Sequence, residues 1–406
     1  MGILIKGLGT GQGAAKGILK KVHDEKSALS VKETDIVFSS NLTPRLAAIS
    51  KKAAGFVLES SEADHTIVYL RESWKPCIIV KSISGLKQGN KASVDSYSGN
   101  VFSGFRDLEN MPIRDFSGKT NTKIYLQLSV PDIAEKASKL NSSGVSLLRL
   151  NVIVQQAGKH PAWFLKNKKS SELQKMLADE VEKIVEQFNP RPVWIRTMDF
   201  DSMELSSMEG GKNEVKEHNP MLGLRGISRD LKNLEILKIQ FRAIKSVMLK
   251  GYRNIGILFP LVRDVSEYKQ AKEIMRKCGI SPHKDVKVGT IFETPSSCLQ
   301  IKEFIEDGLD LAFFGYNDMV QYTLAVDRTN LQVKHLYNPK HPSVLYLLFY
   351  LLEECRKNNI ETTMTFQSPL KDLLEEILSK GLSSITIQAD SINEIGNIIK
   401  NIEGRK

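Results

Sequence analysis

Eight short apolar, β-branched runs, with helical stretches between most of them, are the feature of residues 121–406 that most narrows what this chain can fold into. The runs are Ile124–Ser129, Ser146–Val152, Val193–Met198, Asn254–Val262, Val288–Thr294, Leu311–Gly315, Thr362–Phe366 and Ser384–Gln388. The clearest helices are Ser171–Gln187, Asp230–Leu249, Ser266–Lys277, Ser296–Glu306, Pro342–Lys357, Leu370–Ser379 and Asn393–Ile402. This alternation fits a (β/α)₈ TIM barrel better than an open doubly wound sheet, for which neither a glycine-rich nucleotide fingerprint nor a strand-order signal is present. The expected fold class is therefore α/β.

Residues 1–107 read as a separate, glycine-punctuated β/α domain. Thr34–Phe38, Gly55–Glu59, Cys77–Val80 and Ala92–Ser96 have strand character, while Pro44–Lys52 and His65–Glu72 have helical character. Residues 108–120 have no period and carry Pro112 and Gly118, as an interdomain linker does. Hydrophobic content of 41% and charged content of 26% are those of an ordinary globular protein. No apolar run is long enough to cross a bilayer, and the apolar start of the chain is too short for a signal peptide, so a cytoplasmic protein is expected. The net charge of +10 comes from cations spread along the chain and mixed with acids, without aromatic interleaving, which argues against nucleic-acid binding. Cys77, Cys278, Cys298 and Cys355 are too scattered for a metal or redox motif.

Barrel chemistry sits in the loops after the strands. Those ends supply Arg149, then Arg196 and Asp199, Arg225 in the following long loop, Arg263, Glu293, Asn317 with Asp318, and Thr365 with Gln367. Glu293 and Asp318 close consecutive strands, with Asn317 beside one and Arg328 further on. Two carboxylates so delivered suit a magnesium ion bound together with an anionic substrate. Arginine forks hold carboxylate or phosphate by paired hydrogen bonds, so a small molecule carrying both groups fits the set. In the first domain, His65 opens a helix, where backbone N–H groups and the helix dipole favour the anion that a phosphorylated histidine acquires.

The barrel is similar to that of the phosphoenolpyruvate-utilising enzymes: phosphoenolpyruvate synthase (pyruvate, water dikinase), pyruvate phosphate dikinase and phosphotransferase-system enzyme I. The resemblance is carried by Gly144-Val-Ser-Leu-Leu-Arg-Leu, Ile195-Arg-Thr-Met-Asp-Phe, Asn219-Pro-Met-Leu-Gly-Leu-Arg-Gly-Ile-Ser-Arg, Phe292-Glu-Thr-Pro-Ser and Gly315-Tyr-Asn-Asp-Met-Val-Gln-Tyr-Thr-Leu-Ala-Val-Asp-Arg. The first domain resembles the family's swivelling phosphohistidine domain through Asp35-Ile-Val, Ala53-Ala-Gly-Phe-Val-Leu-Glu, His65 and the strand Val94–Gly104. This resemblance implies a swivelling β/α phosphohistidine domain before the barrel. His65 would carry a phosphoryl group and exchange it with pyruvate enolate or phosphoenolpyruvate. Arg149, Arg196, Arg225, Asn317 and Arg328 would bind substrate, with Glu293 and Asp318 as Mg²⁺ ligands. A homodimer through the barrel is implied, as is a separate ATP-grasp subunit to load the histidine, since Met1 stands almost directly at the phosphohistidine domain.

Three departures from the family pattern stand out. Thr365 occupies the position of the cysteine that exchanges a proton with the substrate methyl carbon, in a Gly-Ile-Cys-Gly-Gln type motif; a threonine hydroxyl is a far weaker acid. The acid of the family's Arg-x-Glu pattern is Asn151 here. The loop before His65 reads Ser60-Ser-Glu-Ala-Asp where the family has Gly-Gly-x-Thr-(Ser or Cys), placing Glu62 and Asp64 beside the future phosphate. Two readings follow: a phosphoenolpyruvate synthase-like phosphotransferase, or a catalytically degenerate regulatory protein that binds phosphoenolpyruvate or a related oxo acid.

Overall fold

Short β-branched runs interrupted by glycines build an eight-stranded mixed sheet from the first hundred residues: β1 (Ile3–Lys6), β2 (Leu8–Thr10), β3 (Ala14–Lys21), β4 (Asp35–Ser39), β5 (Gly55–Glu59), β6 (Cys77–Val80), β7 (Lys91–Asp95) and β8 (Asn100–Ser103). The order is β1-β8-β7-β3-β4-β5-β6-β2, with β3 to β6 parallel and antiparallel pairs on both flanks. The run Val94–Gly104 is a hairpin rather than one strand. Gly99 makes the turn at φ +67°, and a Cβ there would lie 2.2 Å from the carbonyl oxygen of Gly7. Leu19, Ile36, Phe38, Val57 and Ile78 pack the core of this sheet.

This computed structural model describes residues 2–405 apart from 11–12, 41, 43–45, 47–50, 60–64, 109–112, 329, 331 and 367, and leaves aside the side chains of His65, Thr66, Val68 and Tyr69. Most of the expected helix Pro44–Lys52, the loop Ser60–Asp64, part of the linker and Gln367 thus lie outside the described residues. Contacts group Met1–Asp115, Gln155–Gly158 and Gln388–Asn393 into one unit and the remaining residues into a second. Among the described residues, no helix is long and apolar enough to cross a membrane.

The second unit is a parallel barrel of β9 (Lys123–Gln127), β10 (Gly144–Arg149), β11 (Val193–Arg196), β12 (Ile255–Phe259), β13 (Lys287–Phe292), β14 (Leu311–Phe314), β15 (Glu361–Met364) and β16 (Ser384–Ile387). Hydrogen-bonded ladders run from β15 back through β9 and on to β16. Between β15 and β16 the ladder gives way to an isolated bridge, Thr365 to Thr386, with Phe366 N–H donating to Thr386 O at 2.8 Å. Hydroxyls complete the closure. Ser383 N–H donates to Thr362 Oγ1 at 2.9 Å, Ser384 Oγ to Thr362 O at 2.7 Å, and the Thr363 and Thr386 hydroxyls pair at 2.9 Å. Threonine and serine are tolerated inside the barrel because each buried hydroxyl so placed finds a partner.

Outer helices bury one stripe each, as Leu173, Leu177, Val181, Ile184 and Phe188 do on the helix Ser170–Phe188. Several expected boundaries differ; Leu370–Ser379, for one, is a 3₁₀ helix Ser368–Leu373 followed by the short helix Leu374–Ser379. The run Ser146–Val152 leaves the sheet at Arg149 and turns into the helix Leu150–Ala157. The helix Asp230–Leu249 is two, Gly226–Lys232 and Leu234–Leu249, because Asn233 departs from helical geometry at ψ +62°. Ser296–Glu306 likewise divides at Gln300. Within the expected linker, Phe116 is buried against Gly396, where a Cβ would come within 2.3 Å of its ring.

Candidate functional site

Each charged residue of the barrel mouth is delivered by the end of a strand or by the loop after it. Arg149 and Arg196 end β10 and β11 and are register partners across that pair. Glu293 follows β13 directly, and Asp318 lies in the first turn of the helix Tyr316–Leu324 after β14. Gly315 joins that strand to that helix; a Cβ on it would stand 2.2 Å from Glu293 Cγ, so only glycine lets the two acidic segments approach this closely.

Arginines and carboxylates alternate through this cluster. Arg225 grips Asp199 with a two-pronged hydrogen bond, Nε to Oδ1 at 3.0 Å and Nη2 to Oδ2 at 2.8 Å. Its remaining nitrogen, Nη1, lies 3.5 Å from Asp318 Oδ1. Arg196 Nη1 is 3.4 Å from Asp199 Oδ2, and Arg328 Nη1 is 3.6 Å from Asp318 Oδ2. Arg196 also donates from Nη2 to Asn151 Oδ1 at 2.8 Å, so the amide at the family's acid position accepts from an arginine. Of these four arginine–carboxylate contacts, the Arg225–Asp199 fork has full hydrogen-bond geometry, and the three longer ones are charge proximity. Within this cluster, among the described residues, three buried polar atoms have no hydrogen-bond partner: Arg196 Nε, Arg328 Nη1 and Asp318 Oδ1. Buried polar atoms left open in one place are what an oxygen-rich ligand satisfies.

Glu293 accepts the Leu261 N–H at 2.6 Å through Oε2. Leu261 holds φ +49°, a left-handed conformation that a branched residue adopts at a cost of roughly 1–2 kcal/mol. Burial first, then the Asp318 and Asp199 charges, push the Glu293 carboxyl up to about 8 against the opposing pull of Arg196 and Arg225. Among the described residues, no group of three or more His, Cys, Asp or Glu is arranged to hold a metal. Magnesium, however, commonly uses one or two carboxylates and takes its other oxygens from water and substrate. Glu293 and Asp318, crowded together with Asp318 Oδ1 open, fit that demand.

The other expected residues are placed less uniformly. Asn317 precedes Asp318 on the same helix and accepts from Tyr337 Oη at 3.2 Å. Arg149 donates from Nε to Ser129 Oγ at 3.3 Å. Thr365 stands at the β15–β16 bridge. Arg263 is spent on the scaffold, donating to Ser228 Oγ at 2.7 Å and Gly223 O at 3.0 Å. Cys298 is fully buried, donates to Leu347 O at 3.2 Å, and has its thiol pushed up to about 12 by burial. His65 opens its helix in the other unit. Sequence reasoning noticed Asp199 but gave it no role, although its spacing three residues after Arg196 lets one carboxylate address two arginines. Tyr322, whose hydroxyl donates to Met221 O at 2.5 Å, ties the Asn219–Arg225 loop to the Asp318 helix and had no distinguishing signal. A cavity of about 310 Å³ lies beside that tie, lined by Asn219, Met221, Gln321 and Val326 among others.

Arginine forks and paired carboxylates at the carboxyl ends of parallel barrel strands are the equipment of an anion-binding (β/α)₈ barrel. The family described as PEP-utilising enzyme, PEP-binding domain, matches residues 107–404, and the chain belongs to this phosphoenolpyruvate-utilising family. It is 35% identical over 415 aligned residues to the phosphoenolpyruvate synthase of Pyrococcus furiosus, covering 98% of this chain and 51% of that protein. The probable phosphoenolpyruvate synthases of Pyrococcus horikoshii and Archaeoglobus fulgidus are each 34% identical, over 98% and 99% of this chain and 50% and 54% of their own lengths. The chain thus spans about half the length of these curated relatives.

Proposed function

We propose that this chain is the phosphohistidine and barrel portion of a phosphoenolpyruvate synthase-like phosphotransferase, in which His65 passes a phosphoryl group to the enolate oxygen of pyruvate or receives one from phosphoenolpyruvate. In the forward direction a base at the barrel mouth takes a methyl proton from pyruvate, the enolate oxygen attacks phosphorus to form the O–P bond, and the N–P bond breaks to leave a neutral imidazole. The observation that carries the reading is the set of open buried atoms on Arg196, Arg328 and Asp318 beside the Arg225–Asp199 pair. In this reading Arg196, Arg225 and Arg328 hold the carboxylate and phosphate, while Arg149 and Asn317 make further contacts to the substrate. Glu293 and Asp318 would hold Mg²⁺, which supplies charge neutralisation at the enolate and phosphoryl oxygens when bound. The arginines stabilise the same developing charge from fixed positions, which lowers the cost of making the enolate. An ATP-grasp domain, on the same polypeptide or on a separate subunit, is the loading partner we propose for His65.

Thr365 favours keeping a second reading, a phosphoenolpyruvate- or oxo-acid-binding regulator, because its hydroxyl is a poor replacement for a thiol acid. One experiment separates the two. The chain is mixed with magnesium and phosphoenolpyruvate labelled in its phosphate, and acid-labile label is sought on wild type and on His65→Ala. Label on wild type alone supports phosphotransfer; absence of label alongside calorimetric binding of phosphoenolpyruvate leaves the regulator.

A further inference from the structure

Behind the arginine–carboxylate cluster lies a buried polar network that takes no part in the reading above. It springs from two adjacent residues of the helix Gly226–Lys232. Asp230, 3% exposed, accepts at Oδ1 from Gln240 Nε2 at 2.9 Å; Gln240, fully buried, uses Oε1 to accept the Met198 N–H at 2.8 Å. Met198 immediately precedes Asp199. Arg229 sends Nε to Leu224 O at 2.8 Å, and Leu224 immediately precedes Arg225. Arg229 is itself held by Glu214, 3.1 Å from Nη1 to Oε2, and Glu214 Oε1 lies 3.0 Å from His160 Nε2. Because His160 Nδ1 accepts the Ala162 N–H at 2.9 Å, the proton of the neutral ring is on Nε2 and is donated to Glu214. Residues of both arms, His160, Glu214, Arg229 and Asp230, line a cavity of about 100 Å³.

We propose that Arg229 and Asp230 form a positioning unit that fixes Arg225 and Asp199 from both sides: one arm holds the backbone before the arginine and the other the backbone before its carboxylate partner. The proposal rests on the reading that Arg225 binds the ligand's anionic groups. Burying ionisable side chains is an inefficient way to gain stability, since well-packed apolar residues serve as well or better. Here the two arms end on the Leu224 carbonyl, in the peptide joined to Arg225, and on the Met198 N–H, one peptide before that of Asp199. A two-pronged arginine contact is sensitive to small misplacements, so holding both backbones sets the spacing of the fork toward the ligand.

The test uses the full chain and magnesium with phosphoenolpyruvate as probe. Gln240→Leu cuts the Asp230 arm and Arg229→Gln the other; the second keeps the test readable if the first fails to fold. Each is expected to weaken phosphoenolpyruvate binding by about tenfold. In an Arg225→Ala background the same changes should alter Kd by less than about twofold, as required of residues acting through Arg225. Asp230→Asn, which keeps an acceptor for Gln240, should restore binding that Asp230→Ala loses. A ligand-free arm follows hydrogen exchange at Arg225 Nε–H in isotope-labelled arginine samples, expected to quicken at least about tenfold in folded Gln240→Leu or Arg229→Gln. Unchanged exchange in a folded variant, or a full further loss of affinity in the Arg225→Ala background, overturns the proposal. Should wild type not bind phosphoenolpyruvate, the functional reading falls and the exchange arm alone decides this one.

Discussion

Thr365 carries a hydroxyl far less acidic than a thiol, and its backbone is engaged where β15 meets β16. Pyruvate methyl-proton exchange in deuterated buffer is therefore expected to be slow in wild type, and Thr365→Cys is expected to raise it by at least about tenfold. Rapid exchange by the unmodified chain would show that another acid serves. Asp230 gives a second prediction at this scale. Burial first, with Asp199 adding to it and Gln240 and Arg229 opposing, lifts its carboxyl from 3.8 to about 8. A carboxyl whose folded value is raised favours the folded state most when both states are protonated, and that contribution is lost as pH rises through the folded value. Thermal stability of the magnesium-free chain should thus decline between about pH 4 and pH 8, and Asp230→Asn should flatten the decline; an unchanged slope removes Asp230 as a cause.

Among the secondary-structure elements, the join between β14 and the helix Tyr316–Leu324 is the most exacting. Gly315→Ala must push Glu293 and the helix start apart, at a cost of about 1–3 kcal/mol. The expected outcome is a folded protein whose phosphoenolpyruvate binding no longer responds to magnesium, read by calorimetry with and without the ion; retention of the magnesium response would show that the two carboxylates do not act together. This element also shows what could be read beforehand. The runs ending in Phe292 and Phe314 are short and mostly apolar, Glu293 follows the first at once and Asp318 stands four residues after the second, so strand, strand end and candidate ligand were all visible. The division at Asn233 was not, because Asp230–Leu249 keeps helical spacing across it and only tertiary partners of Arg229 and Asp230 reveal two pieces. β1 and β2 were missed for a different reason. Ile3, Leu4 and Leu8 are 56%, 38% and 47% exposed, so these edge strands lack the buried alternation that marks a strand in sequence. Arg263 showed the converse limit: strand-end position brought it to the right rim, but its nitrogens serve Ser228 and Gly223.

For the barrel as a whole, closure is unequal around the ring. β16 is laddered to β9 in full register from Ser384–Lys123 to Ile387–Leu126, and Glu403 accepts from the backbone N–H groups of Asn121 and Thr122 at 2.7 and 2.8 Å. Toward β15, by contrast, β16 relies on hydroxyl pairs and a single bridge. The final strand and helix are therefore fastened to the start of the barrel more than to the strand they follow. A protease cut between Phe366 and Ser368 severs the covalent link but leaves each strand ladder intact. The two fragments are expected to co-elute on gel filtration and to separate only in denaturant; dissociation in native buffer would show that the covalent link holds β16 in place. In engineering terms the hydroxyl seam is a latch, the natural site at which this barrel can be built from two pieces.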